Sequence, residues 1–279
     1  MKYNHYTIAS LPKLTWDSEL PGTISEFIKD YWVQLEPLKD GIGDILLLND
    51  IKNIELILKS KIEKEDKFRG NKDEGAVDFY LARMVEPEEF EPFLENPFVN
   101  KPRETYPEFM VDYFVKHKTD EERHSNIEDL YIDYFRYLQT RENAFLRYYG
   151  RTATAIRTVV SAMRIMKRGL DLDKNLKGDP YMVQTILENR NNADLGLKNI
   201  LPEVTDIIAL FDRERDPVEV ERDIDRIRFQ IMEQVGMESP FGDHIIYSYI
   251  IGFQVRDRWN SLNNEKGLKI LDNIIEENY

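Results

Sequence analysis

A chain of 279 residues with 42% hydrophobic and 32% charged residues is long enough to bury a sizeable core and too apolar to stay disordered. Its 52 acidic residues against 38 basic ones leave a formal charge of −14, whose field repels phosphate backbones and argues against nucleic acid as a partner. The lack of cysteine excludes disulfides, thiolate nucleophiles and cysteine-ligated zinc, and suits a reducing compartment such as the cytoplasm.

From the start of the chain, MKYNHYTIASLPKL has no apolar stretch of signal-peptide length, and no window approaches the roughly 18 uncharged apolar residues of a membrane span. Lys2 to Ala9 is the only stretch with strand-like alternation, and a lone strand has no partner. Thr23-Ile24-Ser25-Glu26 has the spacing of a capping box, and Phe27, Ile28, Tyr31, Trp32 and Leu35 follow at helical intervals, which predicts a helix over 23–35. Pro37 and the DGIGD turn are expected to close it. Asp44 then opens a second apolar-periodic run through Ile45, Leu48, Ile51, Ile54, Leu58 and Ile62.

Residues 61–75, KIEKEDKFRGNKDEG, form a charged, glycine-punctuated connector, and a short helix is predicted over 76–85. The acidic 86–107 segment holds five prolines and cannot be one regular element. Beyond it, Phe109 to Tyr148 keep helical spacing, and two or three long helices are expected before Pro180. Further helices are predicted at 180–189, 202–212, 217–235, 241–262 and 264–277, with Asp216-Pro217 a strong start signal. The fold class that follows is all-α. The domain is a single helical unit over 1–279, open to division into sub-bundles 1–85 and 108–279 around the proline-rich segment.

Motifs that carry chemistry are incomplete. Glu121-Glu122-Arg123-His124 contains one Glu-x-x-His pair, whereas a di-metal bundle needs two pairs and two further glutamates. Asp171 to Asn175 imitates the first half of an EF-hand loop but has Leu176 and Met182 where glycine and glutamate are required. Gly41-Ile42-Gly43 lacks the third glycine of a dinucleotide fingerprint. No catalytic residue, cofactor site or metal site is expected.

The most distinctive stretch is Arg151 to Leu170, which carries five basic residues and no carboxylate. Projected on a helix, Ala153, Ile156, Val159, Val160, Met163 and Met166 form an apolar stripe, Thr154, Ala155, Thr158, Ser161 and Ala162 a small-residue arc, and Arg157, Arg164 and Arg168 a basic ridge. The arginines either pair with acids of neighbouring helices, such as Glu128, Asp129 or Asp133, or present bidentate donors to an acidic partner. Arg157, Arg164 and Arg168 are the candidate interface residues. Tyr247, Tyr249, Phe253 and Trp259, at helical spacing, are expected in the core.

Four segments in order, Tyr6-Thr7-Ile8-Ala9-Ser10-Leu11-Pro12, Ala162 to Gly169, Ala193-Asp194-Leu195-Gly196-Leu197, and Tyr249 to Trp259, resemble a bacterial family encoded in V-type ATPase operons of spirochaetes, chlamydiae and Bacteroides-like bacteria. In those operons the family stands where the C component of the central stalk, called d in eukaryotes, would otherwise be. The resemblance covers about residues 3–277 and departs in Ala155-Ile156-Arg157-Thr158-Val159, where the family often shows asparagine and leucine. It implies a funnel-like helical bundle, non-catalytic, seated on the membrane rotor ring and gripping the shaft of subunits D and F, hence cytoplasmic and peripheral to the inner membrane. Two other readings of the residues remain: a soluble helical adaptor unrelated to ATPases, which docks through the arginine ridge or the proline-rich segment, and a metal-dependent bundle enzyme built on Glu121 and His124.

Overall fold

A computed structural model of the chain describes residues 4–63, 106–212, 214–237 and 242–262. The connector from residue 64, the helix predicted over 76–85, the proline-rich segment as far as residue 105 and the helix predicted over 264–277 lie outside the described residues. All regular structure among the described residues is helical, in agreement with the all-α reading.

The order begins with α1 (Asn4–Ser10), α2 (Ile24–Asp30), α3 (Trp32–Leu35), a 3-10 turn (Glu36–Leu38) and α4 (Lys39–Glu63). After the gap come α5 (Glu108–Lys116), α6 (Asp120–Ser125), α7 (Ile127–Gln139), α8 (Ala144–Lys167), α9 (Leu172–Asn175) and α10 (Pro180–Glu188). The last helices are α11 (Val204–Ala209), α12 (Pro217–Met237) and α13 (Asp243–Leu262).

Local chemistry sets most of these boundaries. At α2, Thr23 accepts a hydrogen bond from the Glu26 N–H while the Glu26 carboxylate accepts from the Thr23 N–H, which is the expected capping box. At α12, the Asp216 carboxylate accepts from the Val218 N–H at 2.8 Å with Pro217 as the first helical residue. Asn143 caps α8 by accepting from the N–H groups of Phe145 and Leu146.

Two expectations require correction. Residues 4–10, read as the only strand candidate, form a helix whose last turn is closed by the Ser10 hydroxyl on the Thr7 carbonyl, while the Tyr31 hydroxyl donates to the Ser10 carbonyl. The segment has no strand beside it among the described residues, so its backbone groups are satisfied locally. The DGIGD turn is not a turn: Gly41 and Gly43 lie inside α4. A Cβ on Gly41 would sit 2.5 Å from the Tyr247 hydroxyl, so glycine there answers a close crossing of α4 by α13.

Two helix pairs, α7 with α8 and α12 with α13, flank α4, and both pack against it. The central position of α4 explains its composition. Ile42, Ile45, Leu47, Ile51, Ile54 and Leu58 are buried, and so are Asp44, Asn49, Asp50 and Asn53. The main apolar core runs from Ile24 through α4, α7 and α8 to Phe253, and a smaller cluster joins Trp16, Phe229 and Trp259. Tyr247, Phe253 and Trp259 are buried within α13 as expected, and Tyr249 packs against the core from its edge. No helix among the described residues is long and apolar enough to cross a membrane.

Candidate functional site

α8 carries the stretch that stands out in the sequence, and its three faces are recognisable in the structure. Both inner faces are buried along most of their length: Thr154, Ala155, Thr158 and Ala162 of the small-residue arc, and Ile156, Val159 and Val160 of the apolar stripe, whereas Ser161, Ala153, Met163 and Met166 are only partly so. Gly150 shows why small residues are needed here. A Cβ there would lie 2.8 Å from the Phe135 carbonyl oxygen and 2.9 Å from Leu138 Cβ, so α7 passes against bare backbone. The Thr154 and Thr158 hydroxyls return hydrogen bonds to the carbonyls of Gly150 and Thr154, one turn back, which satisfies them inside the interface.

The arginine ridge is not one free surface. Arg157 holds Glu128 of α7 with two guanidinium nitrogens, Nε on Oε1 at 3.2 Å and Nη2 on Oε2, and its Cζ lies 4.3 Å from the centre of the Tyr131 ring. Burial alone would lower the pKa of this guanidinium, but the Glu128 carboxylate outweighs it and keeps the group raised. Arg164 is ion-paired with Glu221 of α12. Arg168, at the end of α8, is exposed and has no ion pair among the described residues. Two of the three candidates therefore join helices within the chain, and Arg168 with Lys167 forms the exposed basic end of α8.

Tyr131 links this pair to a second charged cluster by donating from its hydroxyl to Glu55 of α4. The cluster centres on Asp225 of α12, whose side chain is 2% exposed. Arg228 donates to Asp225 at 2.5 Å, Arg258 of α13 at 3.0 Å and the Trp259 indole N–H at 2.9 Å. Burial pushes this carboxyl up, yet Arg258 and Arg228 overcome it and hold the pKa below the usual carboxylate range. Lys52 of α4 faces the same group. Burial first, and then the nearby Arg258 and Arg228, push its ammonium down to about 8, against the opposing pull of Asp225 and Glu55.

Asp44 makes a third knot: its carboxylate accepts from the Tyr137 hydroxyl and from Arg141 Nε, both at 2.7 Å. These knots tie α4 to α7 and the loop after it, α7 to α8, α8 to α12, and α12 to α13. Such an arrangement engages charged groups with each other and can fix the geometry between helices.

Glu121, exposed, and His124, partly buried, lie one turn apart on α6, where Glu122 completes a capping box with Thr119, and among the described residues no group of three His, Cys, Asp or Glu side chains is placed to hold a metal ion. The Asp171 carboxylate caps α9 through the Asp173 N–H, and Asp173 pairs with Arg190. Sequence spacing does not reveal the Asp225 cluster, whose partners Arg258 and Trp259 are 33 and 34 residues away. Exposed apolar side chains escape it as well: Tyr6 on α1 and Val33 on α3, two helices in contact, are 86% and 85% exposed.

Comparison with known proteins gives a family and one distant relative. An uncharacterized protein of Chlamydia muridarum (strain MoPn / Nigg) is 21% identical over 175 residues, a stretch that covers 62% of this chain and 65% of the relative. No solved structure matches the chain. The profile of the family described as "Protein of unknown function (DUF2764)" matches residues 1–278, and the chain belongs to that family.

Proposed function

We propose that this protein is a non-catalytic adaptor in the central stalk of a bacterial V/A-type rotary ATPase, coupling the shaft of subunits D and F to the membrane rotor ring. The observation that carries the reading is the set of cross-helix ion pairs, Arg157–Glu128, Arg164–Glu221 and Asp225–Arg258, built into a body of packed helices. A part that transmits torque must not yield between its two contacts. Ion pairs between helices resist sliding, most of all at Asp225, whose carboxylate is 2% exposed, because separating the partners leaves a desolvated charge. The resemblance of four segments to a family encoded in V-type ATPase operons supports this choice of machine.

Within this reading the protein works in the cytoplasm, peripheral to the inner membrane, and the ring supplies the membrane part. Tyr6, Val33 and the basic end of α8 at Arg168 are the surfaces available for partners. Their separation on different helices suits an adaptor that touches more than one subunit. Co-purification with tagged D and F subunits and detergent-solubilised ring is the test. The expected result is a stable complex that loses its link between shaft and ring when this chain is omitted. A folded protein that associates with none of these subunits would overturn the proposal.

A further inference from the structure

The N-terminal segment before α2 crosses α12 and α13 at one point and places Trp16 there, 7% exposed, against Phe229 and Trp259. The Trp16 and Phe229 rings meet edge to face at 5.8 Å. Three arginines converge on the same spot. The guanidinium carbons of Arg226 and Arg256 each lie 5.4 Å from the centre of the Trp16 ring. Arg222 stands one turn before Arg226 on α12, is exposed, and has no ion pair among the described residues. The acid close by is Asp17, 3.9 Å from Arg226 with its side chain 86% exposed, a position where an ion pair contributes little.

Two donors at this spot are buried without an acceptor among the described residues: the Trp16 indole N–H and Arg256 Nε. Buried donors in folded proteins are almost always satisfied. Arg256 is held in position by donating from Nη2 to the Ser18 carbonyl at 2.6 Å, so its Nε is fixed and not free to swing toward water. Burial, with Arg222 adding to it against the pull of Asp17, holds the Arg256 pKa below the ordinary guanidinium value. An anion is the kind of group that accepts from such donors.

We propose that Trp16, Arg222, Arg226 and Arg256 form a binding site for a phosphate-type oxyanion. Three guanidinium groups less the Asp17 carboxylate leave a local excess of +2 in a chain whose net charge is −14. A phosphate group carries about −1.5 to −2 at pH 7, so it balances that excess. Its oxygens take the paired N–H donors of guanidinium groups and have a lone pair to spare for the indole. The chain's net field disfavours a polyanion, whereas a single phosphate group senses chiefly the local charge. Inorganic phosphate and the headgroup of phosphatidic acid share this chemistry.

The test uses the full chain. Inorganic phosphate is titrated at constant ionic strength against a chloride control, with calorimetry and tryptophan fluorescence as readouts. Saturable one-to-one binding is expected, weakened at least tenfold in the Arg222→Gln/Arg226→Gln double variant while the helical circular dichroism signal is kept. Trp16→Phe is expected to abolish the fluorescence response. Flotation with vesicles containing phosphatidic acid, against phosphatidylcholine alone, identifies the source: variant-sensitive retention assigns a headgroup, and binding of free phosphate without retention assigns a soluble ligand. Absence of saturable binding to either probe, or equal affinity in the folded double variant, would overturn the site.

Discussion

Replacing Asp225 by asparagine keeps the shape of the side chain and removes its charge from a position that is 2% exposed. Arg228 and Arg258 would then lose the carboxylate that they share, and the asparagine amide would point a donor at a donor. Breaking a buried ion pair by removing one partner costs roughly 3–5 kcal/mol. Both arginine side chains are 28% exposed and can recover some hydration, which places the expected loss at the lower end, about 3 kcal/mol. For a chain of this length each kcal/mol moves the melting temperature by about 2–3 °C, so a drop of about 6–9 °C is expected in a calorimetric scan. The pH dependence carries a second signature. The folded pKa of Asp225 is depressed, so its contribution is complete above the ordinary carboxylate value of 3.8 and is lost as pH falls through the lower folded value. The stabilities of wild type and variant should therefore begin to approach each other as pH falls below about 4. A loss under about 1 kcal/mol at pH 7 would refute the idea that this cluster fastens α12 and α13 to each other.

Other substitutions probe the remaining contacts. Lys52 has its folded pKa lowered to about 8 from 10.5, so the unfolded chain binds more protons in between, and urea midpoints should rise from pH 8 toward pH 10 in wild type but not in Lys52→Met. Above pH 10 the trend reverses, because buried Tyr149 and Tyr247, pushed up to about 12, stay protonated in the fold while the unfolded chain releases those protons. Gly150→Ala forces a methyl against the Phe135 carbonyl oxygen and should lower stability by ~1–3 kcal/mol in denaturant unfolding. Arg157→Glu sets a carboxylate opposite Glu128 and should destabilise the fold measurably, whereas Arg168→Glu should stay within ~0.5 kcal/mol of wild type and alter only partner binding, read by pull-down.

Features that depend on neighbours in the chain are legible in the sequence. The capping box at Thr23 and Glu26, the Asp216-Pro217 start of α12 and the long α8 all rest on contacts within a few residues, and spacing alone reveals such contacts. Glu128 also stands among the acids that spacing offers to an arginine of α8. Features made by distant pairs are hidden. Asp44 meets Arg141 across 97 residues, and Gly41 is explained only by Tyr247, so its pattern reads as a turn. The buried carboxylates of α4 look in sequence like a solvent-facing stripe, because periodicity reports where a residue points and not what stands opposite. The Trp16 site escapes sequence reasoning on the same ground: its arginines come from α12 and α13, far along the chain from the indole they surround.

The hydrogen bond from Arg256 to Ser18 closes a span of 238 residues, and it sets the order in which the protein can be assembled. Ribosomes add ~5–20 residues per second, so on the order of 12–48 s pass between the synthesis of Ser18 and that of Arg256. Throughout that interval Trp16 and Ser18 have been made but lack the helices that they will rest on. The Trp16 indole stays without the Phe229 and Trp259 rings until α12 and α13 emerge, so removing α13 would strip packing from a residue near the other end of the polypeptide as well as from α12.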